Sequence, residues 1–305
     1  MIPEFKSIQD LLRVFPNELS CIEHLEDLRW NGEIVSPFDP SSRVYVCKGK
    51  KYRCKNTGKY FNVKTGTIFE DTKIPLQKWF LALYIFSSHK KGISSHQLAR
   101  DITVTQKTAW FMLHRLRSAF GMGDTLLGES NVVEIDETYV GGAEKNKHKS
   151  RKTEGSQGRS TKAKKPVLGM LERGGGLVTF VVDDTKQTTI EPIIHENVKS
   201  GSEVVTDEWM AYRNLGTTFS HEVIRHGARE FVRGKAHTNS IEGFWSHFKR
   251  MLDGTYHNVS FKHLQCYVTE QTLRYNTRKL KTHERFSMVL KNTKGRLSYK
   301  QLTNG

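Results

Sequence analysis

Apolar residues recur at helical spacing near the start of the chain. Ile8, Leu11, Leu12 and Phe15, followed by Ile22, Leu25 and Leu28, predict short helices within residues 5–30. The pattern changes at 43–70, where RVYVCKGKKYRCKNTGKYFNVKTGTIF alternates β-formers with polar residues between Gly49, Gly58 and Gly66. That predicts a small antiparallel sheet with tight turns. Helical spacing returns at 74–120. Pro75 suits a first helical position, and Leu76, Trp79, Phe80 and Leu83 form a stripe behind it. Ser94 and Ser95 can cap a short helix ending near Arg100. Thr105 can cap the next, whose Ala109, Met112, Leu113, Leu116 and Phe120 share one face. Two short helices joined by a tight turn, the second carrying Gln106, Lys107, His114, Arg115 and Arg117 off its apolar face, predict a helix-turn-helix.

Beyond a linker at Gly121–Asn131 the pattern becomes strand-rich. NVVEIDETYVGG, VLGMLERGG and GLVTFVVDD read as strands, IEPIIHENVKSG as a helix, and SEVVTDEWMAY as a further strand. From about Asn239 the spacing is helical again, and the last dozen residues are expected to fray. Between the first two strands lies KNKHKSRKTEGSQGRSTKAKKP, with nine Lys/Arg, one Glu and no apolar periodicity. A stretch with nothing to bury is expected to be a mobile basic loop, here at 144–166, that clamps a polyanion's backbone through residues such as Lys162, Lys164 and Lys165. The expected organisation is N-terminal helices with a small β module at 1–72, a helix-turn-helix at 73–121, and an α/β domain of ribonuclease-H-like arrangement at 128–290.

Composition narrows the partner. A formal net charge of +16 over 305 residues favours nucleic acid over a merely solubilising surface. No run of eighteen apolar residues exists, so no membrane partner is expected. The first residues lack the uninterrupted apolar core of a secretory signal. Four cysteines in a chain of this size do not suggest a disulfide scaffold, and a reducing bacterial cytoplasm, in association with the nucleoid, is expected.

Asp136 ends the apolar run Val132–Ile135, and Asp207 ends Val204–Thr206, so each carboxylate is expected at the rim of a sheet. Taken singly, such residues usually cap a strand or turn. HTNSIEGFWSHFKR adds Glu242 in the first turn of an amphipathic helix. Its buried stripe would be Ile241, Phe244, Trp245, Phe248 and Leu252, with Glu242, Ser246 and Lys249 on a flank. Three carboxylates suit two Mg²⁺ ions about 4 Å apart, which activate an attacking oxygen and stabilise a leaving one in phosphodiester chemistry. Mn²⁺ is expected to substitute.

With VVEIDETYVGG, VVTDEWMAY and HTNSIEGFWSHFKR, and with KYFNVKTGTIFEDTKIPLQKWF ahead of them, the chain resembles bacterial insertion-sequence transposases. These have an N-terminal zinc ribbon and an acidic-triad catalytic domain, and are relatives of eukaryotic Merlin elements. The resemblance covers roughly residues 20–285. It implies a ribonuclease-H-like fold, binding of terminal inverted repeats, and DNA hydrolysis followed by strand transfer. Asp136 and Asp207 match the family's two aspartates. The third ligand is Glu242 or, as in many members, an asparagine, here Asn239; Glu242 is favoured because an amide brings no charge. Lys249 resembles the basic residue that follows the third acid and, with Arg250, is expected on DNA.

The chain departs from the family at the ribbon. SPFDPSS stands where the first pair of zinc cysteines belongs, and Cys54-Lys-Asn-Thr57 retains one cysteine of the second. The sheet is therefore expected to form without structural zinc, held by Tyr45, Tyr52, Tyr60 and Phe61. Synapsis of two DNA ends calls for at least a dimer. Two other functions fit the same residues: a transposase-derived DNA-binding protein without catalysis, and a nuclease that cuts without joining.

Overall fold

In the computed structural model the described residues are 4–119, 126–141, 148–151 and 163–304. They form two compact units, Met1–Gly121 with Lys279–Gly305, and Met122–Arg278.

The first unit opens with α1 (Ile8–Val14) and α2 (Glu18–Trp30). Each starts at a capping box, Ser7 with Asp10 and Asn17 with Ser20, which satisfies N–H groups that the helix cannot. A three-stranded antiparallel sheet follows, β1 (Val44–Cys47), β2 (Lys51–Cys54) and β3 (Tyr60–Phe61). Its inner face carries Tyr52 and Phe61, each 3% exposed, against Trp30 of α2. Tyr45 and Tyr60 point the other way, into solvent. Only half of the aromatic set expected to hold this sheet does so.

The next helix, α3 (Leu76–Ser88), is buried along most of its length, including Leu76, Trp79, Phe80 and Leu83. Then α4 (Ser95–Ile102) and α5 (Gln106–Ser118) are joined by a turn in which Thr103 takes a left-handed φ of 53°. Ser94 and Thr105 cap them by accepting from the N–H groups of Gln97 and Thr108.

The second unit is built on a five-stranded mixed sheet of order β6-β5-β4-β7-β8. Its strands are β4 (Val133–Val140), β5 (Lys165–Glu172), β6 (Leu177–Val181), β7 (Glu203–Asp207) and β8 (Ser220–Ile224). β4 runs antiparallel to β5 and parallel to β7, and β7 parallel to β8. Edge strand β8, SHEVI, escapes sequence reading because only Ile224 of it is buried. On one face α6 (Gln187–Asn197) packs Ile190 and Ile194 over Val133, Ile135, Leu168 and Met170. On the other, α7 (Asn239–Met251) and α8 (Leu264–Asn276) pack Ile241, Phe244, Trp245, Phe248 and Val268 over Val167 and Leu171.

The chain then returns to the first unit as α9 (Thr282–Lys291) and α10 (Tyr299–Asn304). Phe286 of α9 meets the rings of Phe5 and Phe80 at centroid distances of 5.1 and 5.5 Å. Residues 279–290 therefore do not belong with the α/β unit, where the sequence reading put them, and the β module and helix pair share one unit rather than two. Within the last dozen residues, expected to fray, Lys294 bridges Thr67 and Leu302 of α10 is buried. Among the described residues no helix is long and apolar enough to cross a membrane.

Candidate active site

The site grows from the alternation of β4. Glu134 and Asp136 stand two residues apart, so both face the side on which α7 lies, while Glu137 faces the other and accepts a 2.7 Å hydrogen bond from the buried Tyr212 hydroxyl. Asp136 pairs with Gly169 of β5 midway along β4, not at the strand end where the sequence reading put it, because the strand continues through Glu137 to Val140. A Cβ on Gly169 would stand 2.6 Å from the Trp245 ring, so the missing side chain is what lets α7 approach the sheet beside Asp136.

β7 delivers the second acid. The parallel register pairs Val133 with Val204 and Glu134 with Val205, an offset that, carried two residues on, sets Asp136 alongside Asp207. Asp207 is 8% exposed, and one of its oxygens accepts the Trp209 N–H at 2.9 Å. Burial pushes the Asp136 carboxyl up to about 8, and the charges of Glu137, Asp207 and Glu242 push the same way. The two aspartates thus share a site that holds more negative charge than it can solvate.

Glu242 reaches this site through a buried clamp that the sequence reading missed. Glu134 is fully buried and accepts from the backbone N–H groups of Ser240 and Ile241 at 2.9 and 3.0 Å. It also accepts from Ser240 Oγ at 2.9 Å and from Arg173 Nε at 2.6 Å. Arg173 donates in turn to the carbonyls of Lys235 and His237. A carboxylate at a helix N-terminus satisfies orphan donors and opposes the helix dipole, so Glu134 fixes the first turn of α7 against the strand that carries Asp136. The available signal was a Glu inside the apolar run VVEI, where only a paired charge is tolerated.

Glu242 itself is half exposed. Its Oε1 accepts from Thr238 Oγ1 at 2.7 Å and lies 3.6 Å from His226 Nε2. Glu208 holds the loop bearing that histidine by accepting the N–H groups of His226 and Gly227 at 2.7 and 2.9 Å. As the side chains stand, no three His, Cys, Asp or Glu among the described residues are gathered closely enough to hold a metal ion. The donor set nevertheless suits a hard dication: it is all oxygen, and burial together with the neighbouring carboxylates pushes the Asp136 carboxyl up.

Residues 125–276 match the family model of the ISXO2-like transposase domain. An uncharacterized transposase-like protein of Haemophilus influenzae is 34% identical over 105 residues, which span 34% of this chain and 84% of that protein. The chain belongs to the ISXO2-like transposase family. An uncharacterized protein in transposable element ISH50 of Halobacterium salinarum is also similar, 28% identical over 276 residues that cover 86% of this chain and 92% of that protein. Family membership makes the chain an insertion-sequence transposase and implies DNA as its partner.

The residues expected on DNA fare unequally in this transposase. Asn239, Lys249 and Arg250 are exposed on α7. Lys164 is half-buried, and Lys165 donates to Asp183. Lys162 and much of the basic loop lie outside the described residues. On α5, Gln106 and Lys107 are exposed; Gln106 donates to Ser95 Oγ, and the Lys107 ammonium stands over the Tyr299 ring. Arg115 and Arg117, by contrast, are 5% and 2% exposed. Arg115 donates to the carbonyls of Ile68, Glu70 and Leu297, and so braces the first unit instead of facing DNA. That expectation is corrected for both arginines.

The residues of the small sheet do not fit zinc. Cys54 is buried, and although burial pushes its thiol up, the converging Ser36, Ser42 and Thr57 hydroxyls bring it down to about 6. Hydroxyls occupy the place where further soft ligands would be required, and a single thiolate does not make a tetrahedral site.

Proposed function

We propose that this chain is a DNA transposase that binds the ends of its element and cuts and joins DNA at Asp136, Asp207 and Glu242. The α/β unit is read as ribonuclease-H-like, and α4–α5 as a helix-turn-helix. The observation that carries the catalytic reading is the parallel register of β4 on β7, which sets Asp136, midway along β4, alongside Asp207 at the end of β7, with the Asp136 carboxyl raised by burial and then by its acidic neighbours. Asp136, Asp207 and Glu242 are the residues that would hold divalent cations, Mg²⁺ or Mn²⁺, which supply charge neutralisation and activation of an oxygen nucleophile. Glu242 is preferred to Asn239 because its charge reaches Asp136 and because an amide cannot neutralise. Lys249 and Arg250, in the last turn of α7, are suited to DNA phosphates near the acids. Gln106 and Lys107 are the residues of α5 proposed to read base edges.

The test is incubation with the element's ends and Mg²⁺. Joined products are expected from the parent chain, and none from Asp136→Ala, Asp207→Ala or Glu242→Ala, all of which should still bind the ends. Cleavage without joining makes the chain a nuclease, and binding alone makes it a regulator. Robust cleavage by Glu242→Ala, with loss in Asn239→Ala, moves the third ligand to Asn239.

A further inference from the structure

We propose that the solvent face of the β1–β2–β3 sheet binds single-stranded DNA, stacking unpaired bases on Tyr45 and Tyr60. The antiparallel register sets Tyr45 opposite Arg53 and Arg53 opposite Tyr60, so the three side chains form one row across the sheet. Strand alternation puts that row on the face away from Trp30. Tyr45 is 42% exposed and Tyr60 63%, while Tyr52 and Phe61 on the inner face are buried. Two large rings that contribute little to the core are held out from a rigid sheet.

Each ring stands beside a guanidinium. Arg53 Cζ lies 5.7 Å from the Tyr60 centroid and Arg43 Cζ 5.7 Å from that of Tyr45. Residues 43–64 contain eight Lys/Arg and no Asp or Glu. Lys50 is neutralised by Glu23 and Glu26 of α2. Among the described residues Arg43, Lys51, Arg53 and Lys59 make no ion pair. The charge on this face is therefore unanswered and positive, which selects a polyanion.

Aromatic rings choose among polyanions. Rings on the two outer strands of three stand roughly 10 Å apart, with a guanidinium between them, which leaves room for a base on each ring and phosphate at Arg53. Beside the row, Lys51, Tyr60, Phe61, Asn62 and Thr65 line a cavity of about 420 Å³, large enough for a base edge. Base faces are available for stacking only when a strand is unpaired, since a duplex hides them.

The experiment measures binding of a short mixed-sequence oligonucleotide, single-stranded or as duplex, by fluorescence anisotropy. It uses the full chain in EDTA, so that no cleavage intervenes. Tyr45→Ala/Tyr60→Ala is expected to lose single-strand affinity by on the order of tenfold or more. Its duplex affinity should change by less than about threefold, because no phosphate-binding cation is removed. Tyr45→Phe/Tyr60→Phe keeps the rings and should bind as the parent does, and both pairs should melt like the parent. Parental single-strand binding by the alanine pair overturns the proposal. So does an equal loss on duplex, which reassigns the face to paired DNA, or an equal loss in the phenylalanine pair, which assigns the effect to the hydroxyls. The measurement needs neither metal nor the three acids, so its failure leaves the catalytic reading standing, and failure of that reading leaves this one standing.

Discussion

The two sheets of this chain use the same two-residue alternation to opposite electrostatic ends. In the five-stranded sheet, Glu134 and Asp136 turn like charges inward toward a helix, where burial and crowding hold a carboxyl near pH 8. In the three-stranded sheet, Arg53 and its tyrosine neighbours turn positive charge outward, and the buried residues of the inner face, Tyr52, Cys54 and Phe61, carry no formal charge pair. Inward charge must be held in place by tertiary partners. Outward charge needs only the pleat. A change to the first should therefore disturb stability and chemistry together, and a change to the second should disturb binding alone.

The largest expected effect tests the inward arrangement. Glu134→Ala strands the Arg173 guanidinium and two N–H groups at the start of α7, and should cost about 3–5 kcal/mol of stability. Cleavage should fall with it, since α7 carries Glu242. Thermal unfolding that matches the parent, with cleavage intact, would remove the clamp from the account. A smaller loss, about 3 kcal/mol, is expected for Arg115→Ala, which gives up hydrogen bonds to three backbone carbonyls. Gln106→Ala and Lys107→Ala should stay within about 0.5 kcal/mol of the parent and instead narrow the preference for element ends over random DNA. Denaturant titration with competitive binding separates the two classes; a stable Arg115→Ala that has lost selectivity reverses the assignment.

A pH series sharpens the contrast further. The native carboxyl of Asp136 titrates near 8 and its unfolded counterpart near 3.8, so between those values the native state binds the extra proton. Stability of the metal-free chain is then fully supported below that window and declines as pH rises through it. Asp136→Asn should flatten that part of the decline, and a variant curve parallel to the parent's refutes the raised carboxyl. The smallest effect concerns zinc: purified protein should carry much less than one tightly bound zinc per chain, because hydroxyls surround Cys54. Stoichiometric zinc that survives dialysis against a mild chelator contradicts this.

How legible each region was in the sequence follows from the range of its interactions. Helix α7 could be read from one segment: Ile241, Phe244, Trp245 and Phe248 lie on the stripe expected of them, with Glu242 in the first turn. Arg115 could not. Its place on a helical wheel looks solvent-facing, but the carbonyl of Leu297, 182 positions away, wraps over it. The same distance hid the membership of α9 in the first unit, because Phe286 finds its ring partners at Phe5 and Phe80.

By itself, the sequence determined the periodic elements, the positive charge and the candidate acids, since each is a property of neighbouring residues and of their 2- or 3.6-residue repeat. Only the tertiary structure decided that Asp136 stands beside Asp207. The middle of β4 and the end of β7 become neighbours through a parallel pairing of residues 71 positions apart, and no local pattern encodes which strands will pair. Only it decided, too, which half of an alternating strand meets water. Tyr52 and Tyr60 are alike in composition and context, and the position of Trp30 buries one and leaves the other exposed.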